Sequence, residues 1–143
     1  AVSAGLLLIT HPGVGAALQE TAEAILGRLP LETAALSPQD AESPEAAHGR
    51  ADALADRLDQ GDGVVILTDA YGATPGNLAV ALGRARGYPV ITGLNLPMLL
   101  RILNYPWLSM DALAETALAA ARNGILQATP PAADTDRNGD GSG

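Results

Sequence analysis

Two residues stand where chemistry is easiest to build: His11, directly after the apolar run Gly5-Leu6-Leu7-Leu8-Ile9-Thr10, and Asp69, directly after Gly63-Val64-Val65-Ile66-Leu67-Thr68. A carboxylate beside an imidazole accepts the proton of one ring nitrogen, which fixes the tautomer and leaves the other nitrogen as a lone-pair nucleophile. It also supports the positive charge that the ring gains when it attacks. The segment Thr10-His11-Pro12-Gly13-Val14-Gly15 opens into helical sequence, so the free N–H groups and positive end of that helix favour an anion, and a phosphoryl group fits. The second loop, Asp69-Ala70-Tyr71-Gly72-Ala73-Thr74-Pro75-Gly76-Asn77, also runs into a helix, which Thr74 is placed to cap with Pro75 at its first position. Taken singly, a histidine or an aspartate after a strand also serves as an ordinary turn residue. Their convergence is what would make a site. His48, within the polar helical stretch Ala46-Ala47-His48-Gly49-Arg50, reads as a solvated surface residue.

Convergence requires a particular scaffold. Apolar β-type runs at 5–10, 31–36, 63–68 and 89–94 alternate with helical stretches at about 15–28, 44–59 and 75–86, followed by helices at 97–103 and 110–122. Runs apolar on both faces read as buried parallel strands, and strand-helix alternation gives a parallel sheet covered by helices. The expected fold is a doubly wound, three-layer α/β/α domain with a mainly parallel sheet. In the common strand order 2-1-3-4, the order reverses between the first and third strands, where ligands bind beyond the carboxyl ends. The loops carrying His11 and Asp69 then share one crevice. Ser109 and Gly124 punctuate the last helix as N-cap and stop, and residues 124–128 read as a short edge strand.

Composition narrows the alternatives. The 143 residues hold no Cys, so a disulfide framework, a Cys-ligated metal and a thiol nucleophile are excluded, and a cytoplasmic location is expected. All eight basic residues are Arg, against sixteen acids, and the net charge of -8 opposes binding to nucleic acid or anionic lipid. The longest apolar runs are far shorter than the roughly 20 residues of a membrane span, and the first five residues lack the basic start of a signal peptide. One domain is expected over residues 1–128. Residues 129–143, Thr-Pro-Pro-Ala-Ala followed by Asp, Gly, Asn and Ser, read as a flexible acidic tail or a truncated linker.

Three ordered motifs, Thr10-His11 after its strand, Leu67-Thr68-Asp69-Ala70-Tyr71-Gly72-Ala73-Thr74-Pro75-Gly76-Asn77 and Gly93-Leu94-Asn95-Leu96-Pro97-Met98-Leu99, together resemble the enzyme IIA domain of the mannose family in the bacterial phosphoenolpyruvate-dependent sugar phosphotransferase system (PTS). The resemblance spans residues 5–127. It implies a cytoplasmic phosphocarrier in which His11 receives a phosphoryl group from the phosphocarrier protein HPr and passes it to a IIB partner. Asp69 matches the aspartate that orients the histidine, and Thr74 matches a hydroxyl position usually held by Ser. Thr10 and Gly13 join Thr74 as expected phosphoryl-binding residues, while Tyr71, Gly72, Asn95 and Pro97 form the expected crevice rim. The family also implies no metal or cofactor, contact with a membrane permease only through IIB, and a homodimer that exchanges a C-terminal strand, here residues 125–128. Tyr71 stands where Trp is frequent, and Pro12 follows His11 where Gly is common.

With no IIB domain in these 143 residues, a phosphorylation-dependent regulatory module without a sugar permease stays open beside the transport role. So does a phosphocarrier for dihydroxyacetone kinase, although its loop after the third strand differs from Ala73-Thr74-Pro75-Gly76-Asn77. A two-component receiver would need a Lys, and the chain has none. A histidine phosphatase would want Arg-His-Gly where Thr10-His11-Pro12 stands. Asp134-Thr135-Asp136-Arg137-Asn138-Gly139-Asp140 matches the first half of a calcium loop, but the bidentate Glu of the twelfth position is missing.

Overall fold

A computed structural model describes residues 3–129 of the chain. Four strands, β1 (Gly5–Ile9), β2 (Thr33–Leu36), β3 (Val64–Thr68) and β4 (Val90–Thr92), form one sheet in the order β2-β1-β3-β4, and every neighbouring pair is parallel. Helices α1 (Val14–Leu26), α2 (Pro44–Leu58), α3 (Thr74–Arg86), α4 (Leu96–Leu103) and α5 (Met110–Asn123) cover its two faces, with a 3-10 turn at Pro38–Asp40 after β2. This is the expected doubly wound arrangement. The order reverses between β1 and β3, whose register pairs Ile9 with Thr68 at the carboxyl ends.

Period-two alternation divides the sheet side chains between two cores. Leu6, Leu8, Val65 and Leu67 pack with Ala22 of α1, Met98, Leu99, Ile102 and Leu103 of α4, and Leu113 and Ala117 of α5. Leu7, Ile9, Val64 and Ile66 face the other way, onto Ala47, Ala51 and Ala55 of α2 and Leu78, Ala79 and Leu82 of α3. The alanines of α2 let that helix lie close to the sheet. Each fully buried Leu or Ile contributes about 1.5–3 kcal/mol by leaving water, so β1 and β3 form the most strongly held part of the domain.

The elements differ from the sequence reading mainly at their ends. β2 begins at Thr33, two residues later than expected, because Leu31 turns its buried side chain into the first core and accepts the Thr33 hydroxyl on its carbonyl at 2.9 Å. β4 spans three residues, closed by Gly93 at φ +82. Thr74 does not cap α3: the cap position is Ala73, whose carbonyl takes the Asn77 N–H at 2.9 Å, and Thr74 is the first helical residue. Pro75 then sits within the first turn, where its missing N–H removes no helical bond. Ser109 does cap α5, accepting the Ala112 N–H at 3.2 Å.

Residues 124–128, expected as an edge strand, pair with no strand among the described residues of this chain. The Gly124 amide bonds back to Ala120 and the Ile125 amide to Arg122, so the chain leaves α5 as a loosened helical turn. Ile125 and Leu126 are 75% and 80% exposed. The calcium-loop pattern at 134–140 and almost all of the expected tail lie outside the described residues. No helix among the described residues is long and apolar enough to cross a membrane.

Candidate functional site

The carboxyl ends of β1 and β3 bring His11 and Asp69 together as their positions suggested. Asp69 Oδ2 accepts two hydrogen bonds from His11, one from the backbone N–H at 3.1 Å and one from ring Nδ1 at 2.8 Å. Burial works to raise the Asp69 carboxyl, but the hydrogen bonds from the His11 ring and amide outweigh it and hold the group below the ordinary carboxylate range. An ionised Asp69 offers no proton, so the hydrogen in the short contact belongs to Nδ1. In the neutral form of the ring, the lone pair is then on Nε2. Its side chain is 42% exposed while that of Asp69 is 15% exposed, so the nucleophile faces outward and its orienting carboxylate faces inward. Asp69 Oδ1 is buried with no hydrogen-bond partner among the described residues, which leaves the carboxylate a strong acceptor toward the ring.

Around this pair the loop is held by its backbone. Thr10 is 1% exposed, donates its hydroxyl to the His11 carbonyl at 2.8 Å, and accepts the Gly15 N–H at 2.8 Å. A threonine hydroxyl so engaged is directed to the loop interior rather than to an outside ligand. Gly13 occupies the α1 cap position at φ +85, a left-handed conformation that a side chain would strain. The Gly13 and Ala16 amides find no acceptor among the described residues, and neither do those of Thr74 and Gly76 in the first turn of α3. Two helix N-termini thus bring unpaired donors to the carboxyl end of the sheet. Gly76 can stand there only without a side chain, since a Cβ would come within 2.7 Å of the Ala70 carbonyl.

Of the remaining expected residues, Thr74 is exposed at the start of α3, and Tyr71, 83% exposed, and Gly72, at φ +85, form the outer edge of the Asp69 loop. Asn95 and Pro97 hydrogen-bond neither His11 nor Asp69. Asn95 uses both ends of its amide in structure: Oδ1 caps α4 by accepting the Met98 N–H at 2.9 Å, and Nδ2 donates to the Ala121 carbonyl of α5 at 3.2 Å. Pro97 packs against Gly124, where an added Cβ would come within 2.4 Å of the proline. His48 is exposed on α2, its Nδ1 at 3.0 Å from the Pro44 carbonyl. Sequence reasoning passed over Ser37, whose hydroxyl donates to the His11 carbonyl at 3.1 Å. Its signal was positional: it directly follows β2, the strand beside β1. Among the described residues no cluster of three or more His, Cys, Asp or Glu could hold a metal ion.

The site thus combines a ring nitrogen held by Asp69 with amides at two helix N-termini that find no acceptor among the described residues. Residues 5–118 match the family model EIIA-man, described as the PTS system fructose IIA component. Among solved structures, the mannose/sorbose-specific IIA subunit of the phosphotransferase system from Enterococcus faecalis superposes with a TM-score of 0.76 at 20% identity, covering 91% of this chain and 98% of that one. The PTS IIA protein associated with the fucose utilization operon from Streptococcus pneumoniae gives 0.72 at 23% identity, with 89% and 94% covered. The phosphotransferase system component EIIA from Streptococcus agalactiae gives 0.69 at 20%, with 86% and 95% covered. At such identities the likeness is one of fold. A search of curated proteins found no match.

Proposed function

The chain belongs to the EIIA-man family of PTS IIA components, and from that premise we propose that it carries a phosphoryl group on His11 Nε2, taken from phospho-HPr and handed to a IIB component. The observation that carries this reading is the double hydrogen bond from His11 to Asp69 Oδ2, which leaves Nε2 as the ring's lone-pair nitrogen. In the transfer, the Nε2 lone pair forms a bond to phosphorus as the P–N bond of the donor phosphohistidine breaks. The electron pair of that bond returns to the donor ring. His11 keeps its Nδ1 proton throughout, so the phosphorylated ring is cationic and Asp69 pairs with it. Delivery to the acceptor is the same step in reverse. The unpaired amides of Gly13, Ala16, Thr74 and Gly76 and the Thr74 hydroxyl are the donors for the phosphoryl oxygens, while Thr10 acts by holding the loop. No step calls for a metal or cofactor.

The same reading includes a cytoplasmic homodimer formed by exchange of residues 125–128. Two features support the exchange: Ile125 and Leu126 present apolar side chains to solvent, and the outer edge of the short strand β4 has no partner among the described residues. Incubation with phosphoenolpyruvate, enzyme I and HPr tests the function by intact-protein mass. The expected result is an acid-labile gain of one phosphoryl group in the wild type and none in His11→Ala. No gain with active partners would leave the crevice as an interaction module.

A further inference from the structure

Every polar group of His11 except Nε2 has a partner among the described residues. Its amide and Nδ1 go to Asp69, and its carbonyl accepts from Thr10 Oγ1 at 2.8 Å, Ser37 Oγ at 3.1 Å and the Val14 N–H at 3.2 Å. Thr10 lies in the same β1–α1 connection as His11, and Val14 is the first residue of α1, into which that connection runs. Asp69 anchors the residue to the end of β3. Ser37, 26 residues away in sequence, is the side chain that ties it to β2. The backbone ladder between β1 and β2 ends immediately beforehand, where the Thr10 amide bonds the Leu36 carbonyl at 3.0 Å.

A serine before a proline at the start of a helical turn would ordinarily cap that turn. Ser37 occupies the cap position of the Pro38–Asp40 turn yet makes no side-chain cap bond; its hydroxyl reaches across to His11 instead. The half-buried side chain therefore serves the histidine rather than its own turn. We propose that Ser37 is a positioning residue for phosphoryl transfer: its hydroxyl holds the His11 carbonyl so that the ring stays aligned between Asp69 and the incoming phosphorus. The proposal rests on the phosphocarrier reading. In-line attack tolerates little misalignment, and a loop held from both flanking strands limits the swing of the ring that one held from β3 alone would permit.

The test compares the wild type, Ser37→Ala and Ser37→Thr in single-turnover phosphorylation by phospho-HPr, with the exchange of the His11 Nδ1 proton with water followed by NMR on the unphosphorylated proteins. The expected result for Ser37→Ala is a maximal rate lowered about 3- to 10-fold, because a loop released from β2 holds the ring in line for a smaller share of the time; the energy of the bond itself is the same before and during transfer. Its half-saturating HPr concentration is expected unchanged, its thermal midpoint is expected to fall by no more than about a few degrees, and its Nδ1 proton is expected to exchange several-fold faster. Ser37→Thr should restore both rates. Wild-type transfer and exchange in Ser37→Ala would overturn the proposal, as would equal losses in Ala and Thr, which would indicate packing alone. If the wild type takes up no phosphoryl group, the phosphocarrier reading fails and the transfer role of Ser37 falls with it. Faster exchange in Ser37→Ala would then mark Ser37 as holding a ring with some other task.

Discussion

Asp69→Asn isolates the electrostatic part of the site. The substitution is nearly isosteric, and the amide oxygen can still accept a hydrogen bond from His11, so the fold and ring orientation should survive while the charge is lost. The bond from the His11 amide is the same before and during transfer and cancels from the rate. What remains is the Nδ1–Oδ2 contact at 2.8 Å, where positive charge develops on the ring. A full charge pair at that separation is worth about 1.5 kcal/mol in bulk water and about 6 kcal/mol at an effective dielectric near 20. Because the ring is 42% exposed and the transition state carries only part of the charge, a loss of about 1.5–3 kcal/mol follows. That corresponds to phosphorylation roughly 10- to 100-fold slower. Rapid-quench measurement with labelled phospho-HPr reads the rate directly, and denaturant unfolding verifies the fold. A correctly folded Asp69→Asn protein within about twofold of the wild-type rate would refute the reasoning, since an electrostatic contact of this length could not then be acting on the ring.

Two further predictions concern the rest of the molecule. Tyr88 donates its hydroxyl to Asp59 Oδ2 at 2.7 Å, and this bond, followed by those from the Gly61 and Gly63 amides, holds the Asp59 carboxyl below its ordinary range. A depressed carboxyl stabilises the fold above its unfolded pKa and stops doing so as pH falls through the folded one. Tyr88→Phe should therefore cost about 1–2 kcal/mol in urea unfolding at neutral pH, and the difference should shrink below the carboxylate range; an equal difference at both would contradict it. Ending the chain after Gly124 should convert a dimer to a monomer in sedimentation at several concentrations, and the same oligomeric state with and without residues 125–128 would count against strand exchange.

How much of this was visible beforehand depended on the range of the interactions. The four strands announced themselves as short apolar runs, and the order β2-β1-β3-β4 followed from strand-helix alternation and the preference for a doubly wound sheet. His11 and Asp69 were legible because they lie two residues and one residue beyond the ends of the buried strands β1 and β3, whose register the sheet dictates. Cap chemistry was only partly readable: Ser109 capped as expected, but one residue decides whether a threonine precedes a helix or begins it, and Thr74 begins it. Asn95 and Pro97 looked like rim residues because they follow a strand, yet the packing of α4 on α5 uses their polar and apolar groups for the helix joint. Ser37 was hidden because a serine after a strand has many uses, and its aim at a carbonyl 26 residues away emerges only when β2 lies beside β1. The separation of an inert hydroxyl at Thr10 from an outward-facing one at Thr74 likewise required the burial of each.

On the proposed function, Asp69 holds the Nδ1 proton and commits Nε2 to the phosphoryl group. The most direct measurement is a nitrogen-15 correlation spectrum of the phosphorylated protein under non-acidic conditions, where the two ring nitrogens of His11 are resolved and coupling to phosphorus identifies the one bonded. Phosphorus is expected on Nε2 of His11 with the proton retained on Nδ1. Phosphorus on Nδ1, or on any residue other than His11, would contradict it.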